Sequence, residues 1–257
     1  VEIEALSSRK VNMSGMDLEK LRASRAPRDL ADFEIPVTEM CDRFSALYSG
    51  AINDVLRERN LLFQTLPHGI LPLREEMVVA GVAFTIKGSK NLDVTDEMVE
   101  RAAMLEAIPR DSVVVWDTSG DDESAQWGEV MTMAAKRRGC RGAVVDGGVR
   151  DTAKVLSQDF PLFVRYRTSN GMLGRFRIIG YEMPIEIGGV HVHPGDFVFG
   201  DIDGALIVPR DIAYEVLLRA EEVSRNEEEI NAWVNDGLSA QEVVDGGGYF
   251  SYRRAGR

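Results

Sequence analysis

Residues Trp127 to Asp151 read WGEVMTMAAKRRGCRGAVVDGGVRD, and their periodicities decide the fold class. Val130, Met131, Ala134 and Ala135 recur at helical spacing, and the run ends in Lys136-Arg137-Arg138-Gly139. Gly142 to Val145 is a short apolar run of the kind a buried strand carries. A helix feeding a strand is the repeating unit of an α/β sheet. Asp146-Gly147-Gly148 is expected to reverse the chain, because glycine reaches positive φ without a Cβ clash, leaving Arg150 and Asp151 just past the strand end. Ligands of open α/β sheets collect at that edge. Gly128 and Glu129 fall at the helix start, where the unpaired N–H groups of Val130 and Met131 can face a carboxylate. One stretch thus supplies an anion-binding helix start, a guanidinium and two carboxylates.

Each residue also has a structural use. Asp151 reads equally well as the N-cap of a helix beginning at Thr152, Arg150 as a surface ion-pair residue, and Glu129 as a first-turn carboxylate favoured by the helix dipole. None of these uses explains why the residues cluster.

The run resembles the signature of the RraA-like family, which includes class II pyruvate aldolases acting on 4-hydroxy-4-methyl-2-oxoglutarate and 4-carboxy-4-hydroxy-2-oxoadipate. Those aldolases pair an acidic residue, twenty intervening positions and then Arg-Asp, and here Glu129 precedes Arg150-Asp151 by that interval. The family usually has Asp where this chain has the longer Glu129. Weaker likeness extends from about Thr38 to Val244, through VAGVAFTIKGSKN, VVVWDTSGDDESAQWGE and PIEIGGVHVHPGDFVFGDIDGALIVP. Many relatives carry an acid three positions after the Asp of Arg-Asp, a position held here by Lys154.

The resemblance implies an α/β chain with a layered β/β/α swivelling-domain fold, mixed sheets with flanking helices, assembled as a homotrimer or homohexamer. Its implied activity is a divalent-metal-dependent lyase that cleaves a C–C bond of a 2-oxo acid, by retro-aldol cleavage to pyruvate or by decarboxylation of oxaloacetate. By the same likeness Asp151 would hold Mg2+ or Mn2+, and Arg150 would steady the keto oxygen. Gly128, Val130 and Met131 would bind the substrate carboxylate, and Glu129 would move a proton through a bound water. No lysine stands at a family site position, so no Schiff base is expected. The rival readings are a non-catalytic RraA-type regulator that binds a ribonuclease, and a lyase acting on a sugar- or aromatic-derived acid.

Composition narrows the classes. At 257 residues with 44% hydrophobic content, the chain can bury a substantial core. Thirty Lys and Arg against 42 Asp and Glu leave a net charge of −12, which repels a nucleic-acid backbone on average. Cys41 and Cys140 are the only cysteines and have no metal-ligand spacing, so neither a disulfide framework nor structural zinc is expected. No apolar run approaches the roughly twenty residues that span a bilayer, and no signal-peptide core opens the chain. A cytoplasmic protein with no membrane or nucleic-acid partner is the expectation.

Along the chain, residues 1–37 read as an N-terminal arm, 38–244 as the RraA-like catalytic domain and 245–257 as a C-terminal tail. The tail's Tyr249, Phe250, Tyr252, Arg253 and Arg254 suit packing on a neighbouring subunit. Phe44, Leu47, Tyr48, Ala51, Ile52 and Val55 predict one helix from Thr38. Met77 to Ile86 predicts a strand broken at Gly81, with Gly88 to Asn91 as a loop that can approach a ligand; Lys90 and Asn91 fall where relatives often have polar residues near the site, and the favoured reading is a solvated turn whose Lys90 touches nothing. Ser124 could cap the helix carrying Gly128, and Asp121 to Glu123 reads as a solvated acidic cap. His191 and His193 alternate along one strand face as exposed residues, and Asp201 and Asp203 flank a turn before the ALIVP strand.

Overall fold

The computed structural model describes residues 18–23 and 32–246. Most of the expected arm, and the tail from 247 with its aromatic and basic residues, lie outside them. The helices are α1 (Leu18–Ala23), α2 (Val37–Ser45), α3 (Ser49–Glu58), α4 (Glu97–Ala107), α5 (Glu129–Arg138), α6 (Thr152–Leu156), α7 (Ala213–Asn235) and α8 (Ala240–Asp245). The strands are β1 (Leu71–Pro72), β2 (Val79–Lys90), β3 (Ser112–Asp117), β4 (Ala125–Trp127), β5 (Gly142–Val149), β6 (Leu162–Arg167), β7 (Phe176–Tyr181), β8 (Ile185–Ile187), β9 (Val190–Val192), β10 (Phe197–Asp201) and β11 (Gly204–Val208).

One mixed sheet runs β1-β6-β5-β3-β2-β10-β11, with β4 beside the end of β5 and β7 beside the end of β2. Its centre, β2-β3-β5-β6, is parallel, and β10, β11, β1 and β7 join antiparallel. The segment just before β1 returns to the far edge, where Leu66 N–H donates to Ala205 O at 2.8 Å and Ile207 N–H to Gln64 O at 2.9 Å. The sheet therefore nearly closes into a barrel, which leaves little of its edge unpaired.

β3 is buried at every residue because both of its faces are covered. Val113, Val115, Val144, Phe163, Val198 and Ile207 point inward, packed with Ile185, Ile187, Val190 and Val192 of the β8–β9 hairpin. Phe84, Val114, Trp116, Ala143 and Val145 share a second core with Met104 of α4 and Met131 and Ala135 of α5. A third core lies between β10, β11 and helices α2, α3 and α7, with Phe44 stacked on Phe197 at 4.3 Å.

The structure corrects several expectations. The helix predicted from Thr38 is two helices, because Tyr48 is extended and α3 restarts with Ser49 N–H donating to Asp201 Oδ2 at 2.7 Å. That partner is 152 positions away, so local periodicity could not reveal it. β2 continues through Gly81 and Gly88 to Lys90, with an irregularity at Lys87/Gly88 within its pairing to β7. Ser124 caps no helix, because β4 intervenes and Gly128 is the N-cap of α5.

The largest correction is that Asp146-Gly147-Gly148 does not reverse the chain. All three lie inside β5, and neither glycine has positive φ. They are small because the backbone is crowded. A Cβ at Gly147 would lie 2.2 Å from Gln126 Oε1, and one at Gly148 2.4 Å from Tyr166 Cε2 and 2.7 Å from the Ser124 carbonyl oxygen. Gly148→Ala should therefore destabilise the fold by about 1–3 kcal/mol through overpacking against backbone. Urea denaturation at matched m-value measures it, and an unchanged midpoint would contradict the crowding.

Candidate active site

β4 assembles the site. It pairs with the end of β5 in parallel, Trp127 opposite Val149, and Arg150 N–H donates to Trp127 O at 3.0 Å. That pairing sets Gly128 beside Arg150 and Asp151, twenty-two and twenty-three residues later in the chain. Trp127 anchors the junction by stacking on Phe160 at 5.9 Å and donating from Nε1 to Thr132 Oγ1 at 2.8 Å. Thr132 Oγ1 and N–H both donate to Gly128 O at 3.0 Å, which locks the first turn of α5 to the strand.

Gly128 is extended, a conformation open to any residue, so its backbone does not demand glycine. Room favours it. A Cβ there would lie 3.2 Å from Asp151 Oδ2 and 3.4 Å from Arg150 Cγ, a tight contact to which those side chains would have to yield. α5 begins immediately after, with no side-chain cap. Helix geometry leaves the first-turn N–H groups, including those of Val130 and Met131, without intrahelical acceptors. Val130 is 69% exposed, while Met131 is buried and its side chain packs in the core.

Asp151 does occupy the N-cap position of α6, but its carboxylate makes no capping bond. It sits in the left-handed region at φ 55°, which Asp tolerates better than most residues, and its carbonyl takes the N–H groups of Lys154 and Val155. The carboxylate is 42% exposed and 3.5 Å from Arg150 Nε. The structural use considered for Asp151 is thus confined to its backbone, leaving the carboxylate available.

Glu129 is held in a way the sequence reading missed. Lys154 of α6 donates to Glu129 Oε2 at 2.8 Å, and this contact raises the Lys154 pKa above the usual ammonium value. The cation standing three positions after Asp151 therefore partners the site's own acid. The acid-to-base change at that position is legible in the sequence, but its partner Glu129 is not.

Other singled-out residues fall elsewhere. Lys90 is not free: it lies 3.0 Å from Asp122 Oδ1 and 3.6 Å from Glu123 Oε1. Asp121, read as solvated, is buried, accepting from Ser124 N–H and from Gln126 Nε2 at 2.6 Å. Gln126 Oε1 in turn accepts Gly148 N–H at 2.9 Å, bridging the register shift in β5. Asp201 accepts from Ser49 and Asp203 N–H groups and so organises backbone, and His191 is exposed beside Glu186.

Two buried carboxylates lie at the carboxyl end of β3 and inside β5. Asp117 pairs with Lys87 at 2.5 Å and Asp146 with Arg165. Burial pushes the Asp146 carboxyl up, opposed by Arg165 and reinforced by Asp117. Alternation along these strands turns both pairs towards the inner face, away from α5.

Among the described residues, no three His, Cys, Asp or Glu side chains gather into a metal cage. A single uncapped carboxylate, half-exposed beside Arg150, suits an ion that keeps most of its waters, as Mg2+ does, and Gly128 leaves the carboxylate space. The donor set does not suit zinc. No helix among the described residues is long and apolar enough to cross a membrane.

Comparison with known proteins gives relatives of differing description. A provisionally named 4-hydroxy-4-methyl-2-oxoglutarate aldolase of Halalkalibacterium halodurans is 31% identical over 77% of this chain and 90% of its own length. Protein DlpA of Legionella pneumophila is 29% identical over 68% of this chain, and the chain spans only 28% of that longer protein. A solved structure described among novel cellulases from gut-associated microbes is 50% identical, with a TM-score of 0.80 over 83% of this chain and 96% of its own. Streptomyces coelicolor RraAS2, described as an unusual member of the RNase ES inhibitor RraA family, is 26% identical with a TM-score of 0.71, over 77% of this chain and 99% of its own. The family model described as RraA-like, Aldolase/RraA, matches residues 38–207, so this chain belongs to the RraA-like family.

Proposed function

We propose that this protein is a divalent-metal-dependent lyase that cleaves a C–C bond of a 2-oxo acid, releasing pyruvate by retro-aldol cleavage or by decarboxylation of oxaloacetate. The observation that carries the reading is the junction of Gly128, Arg150 and an uncapped Asp151 carboxylate at the open start of α5. The provisional aldolase name of the Halalkalibacterium relative supports it.

Both reactions pass through the enolate of pyruvate, whose negative charge gathers on oxygen. Asp151 would hold Mg2+ or Mn2+, which supplies Lewis-acid stabilisation of that charge when bound. Arg150 directs its guanidinium donors at the same oxygen, where a charge-assisted hydrogen bond strengthens as charge develops. The first-turn N–H groups at Val130 and Met131 receive the carboxylate of the 2-oxo acid, and Gly128 keeps the approach open. Glu129 takes the hydroxyl proton of an aldol substrate through a water, after exchanging its contact with Lys154.

Homotrimeric or homohexameric assembly belongs to the same proposal. Val130, Met133, Met98 and Val99 are exposed on α5 and α4, as apolar residues are where a neighbouring subunit covers them.

The test is pyruvate release from a panel of 2-oxo acids, oxaloacetate included, before and after exhaustive EDTA treatment. Activity should fall to background and return with added Mg2+ or Mn2+, because one carboxylate ligand exchanges its ion readily. Full turnover after EDTA would reject the metal. The RraAS2 likeness favours a second reading, a ribonuclease-binding regulator. That reading gains if no acid in the panel yields pyruvate.

A further inference from the structure

Gly171 lies in the connection between β6 and β7, far from Arg150 in sequence, yet a Cβ on it would stand 2.6 Å from Arg150 Nη1 and 3.5 Å from Cζ. Its φ is not positive, so the backbone conformation does not require glycine. The connection is tied down independently of Arg150. Gly171 bridges to Ala125 of β4, Ala125 N–H donates to Asn170 O at 2.8 Å, and Asn170 Nδ2 donates to Glu123 O at 3.3 Å. Met172 is buried in the core and its carbonyl takes the Arg175 and Phe176 N–H groups. The same short strand that brings Gly128 to Asp151 thus also brings Gly171 to Arg150.

We propose that Gly171 is a positioning residue: its bare Cα forms the surface on which the Arg150 guanidinium lies, and this sets the direction of the donors. The inference rests on the role given to Arg150 above. A methyl group at 171 meets the end of a long, half-exposed side chain, which can swing aside at little cost to the fold. The guanidinium then leaves its bearing. Misplacing a positioned group by about 1 Å costs on the order of 100-fold in rate.

The experiment is Gly171→Ala, alone and combined with Arg150→Lys, read in three ways. The first is the Nε–H resonance of Arg150, assigned by its absence in Arg150→Lys and needing neither substrate nor metal; Gly171→Ala should shift it while the thermal midpoint stays within a few degrees. The second is pyruvate release, where kcat should fall about 10- to 100-fold with a smaller change in KM. The third is the double-mutant cycle, in which Gly171→Ala should cost little further once Arg150 is Lys. An unmoved resonance overturns the proposal. So does a variant that unfolds, since the displaced group would then be more than a side-chain end, and so does an equal loss in both backgrounds. A shifted resonance in a protein that releases no pyruvate from any acid would instead reject the lyase reading and leave the positioning of Arg150 intact.

Discussion

Asp151→Asn should abolish lyase turnover, by about 1000-fold or more, in a protein that folds normally. The prediction is sharp because the competing structural role is accounted for. Asp151 stands at the start of α6 but its carboxylate makes no capping bond, so removing the charge takes no hydrogen bond from the helix. Asn also accepts the left-handed backbone at φ 55°, which a β-carbon otherwise makes costly. Asp151→Ala is the informative companion. It should lose activity equally while costing about 1 kcal/mol in stability, from placing alanine in that region of backbone space. Thermal unfolding separates the two effects. A folded Asp151→Asn protein with normal turnover would remove the residue from the site.

Arg150→Lys should depress both retro-aldol cleavage and oxaloacetate decarboxylation, each by about 100-fold or more, because a point ammonium cannot reproduce a planar fork of donors. Glu129→Gln should divide the two reactions. Oxaloacetate has no hydroxyl to deprotonate, so decarboxylation should survive while aldol cleavage falls. The variant also breaks the contact with Lys154, but that pair is solvent-screened on the lysine side, so its loss should leave the fold intact and not confound the rates through stability. The measurement is the ratio of the two activities in each variant. Equal losses in Glu129→Gln would assign that residue to orienting the start of α5 rather than to proton transfer.

Taken alone, the sequence determined the elements whose signals are local. The apolar spacing of Val130 to Ala135 and the glycine after Arg138 mark α5, whose C-cap Gly139 takes φ 84°. The apolar run from Gly142 to Val145 marks β5, which continues to Val149. The interval from Glu129 to Arg150-Asp151 identified the family, because spacing along a helix-strand unit is a property of the chain itself.

Tertiary structure alone decided what depends on residues distant in sequence. Asp201 divides α2 from α3 by accepting a hydrogen bond from Ser49. Gln126, Tyr166 and the Ser124 carbonyl dictate that Gly147 and Gly148 have no side chain, although glycine pairs elsewhere mean turns. Lys154 meets Glu129 across two helices, and Gly171 meets Arg150 across two strands. A glycine required by φ declares itself through its neighbours in sequence; a glycine required by crowding does not, because the atom that excludes its Cβ arrives only when the sheet has formed.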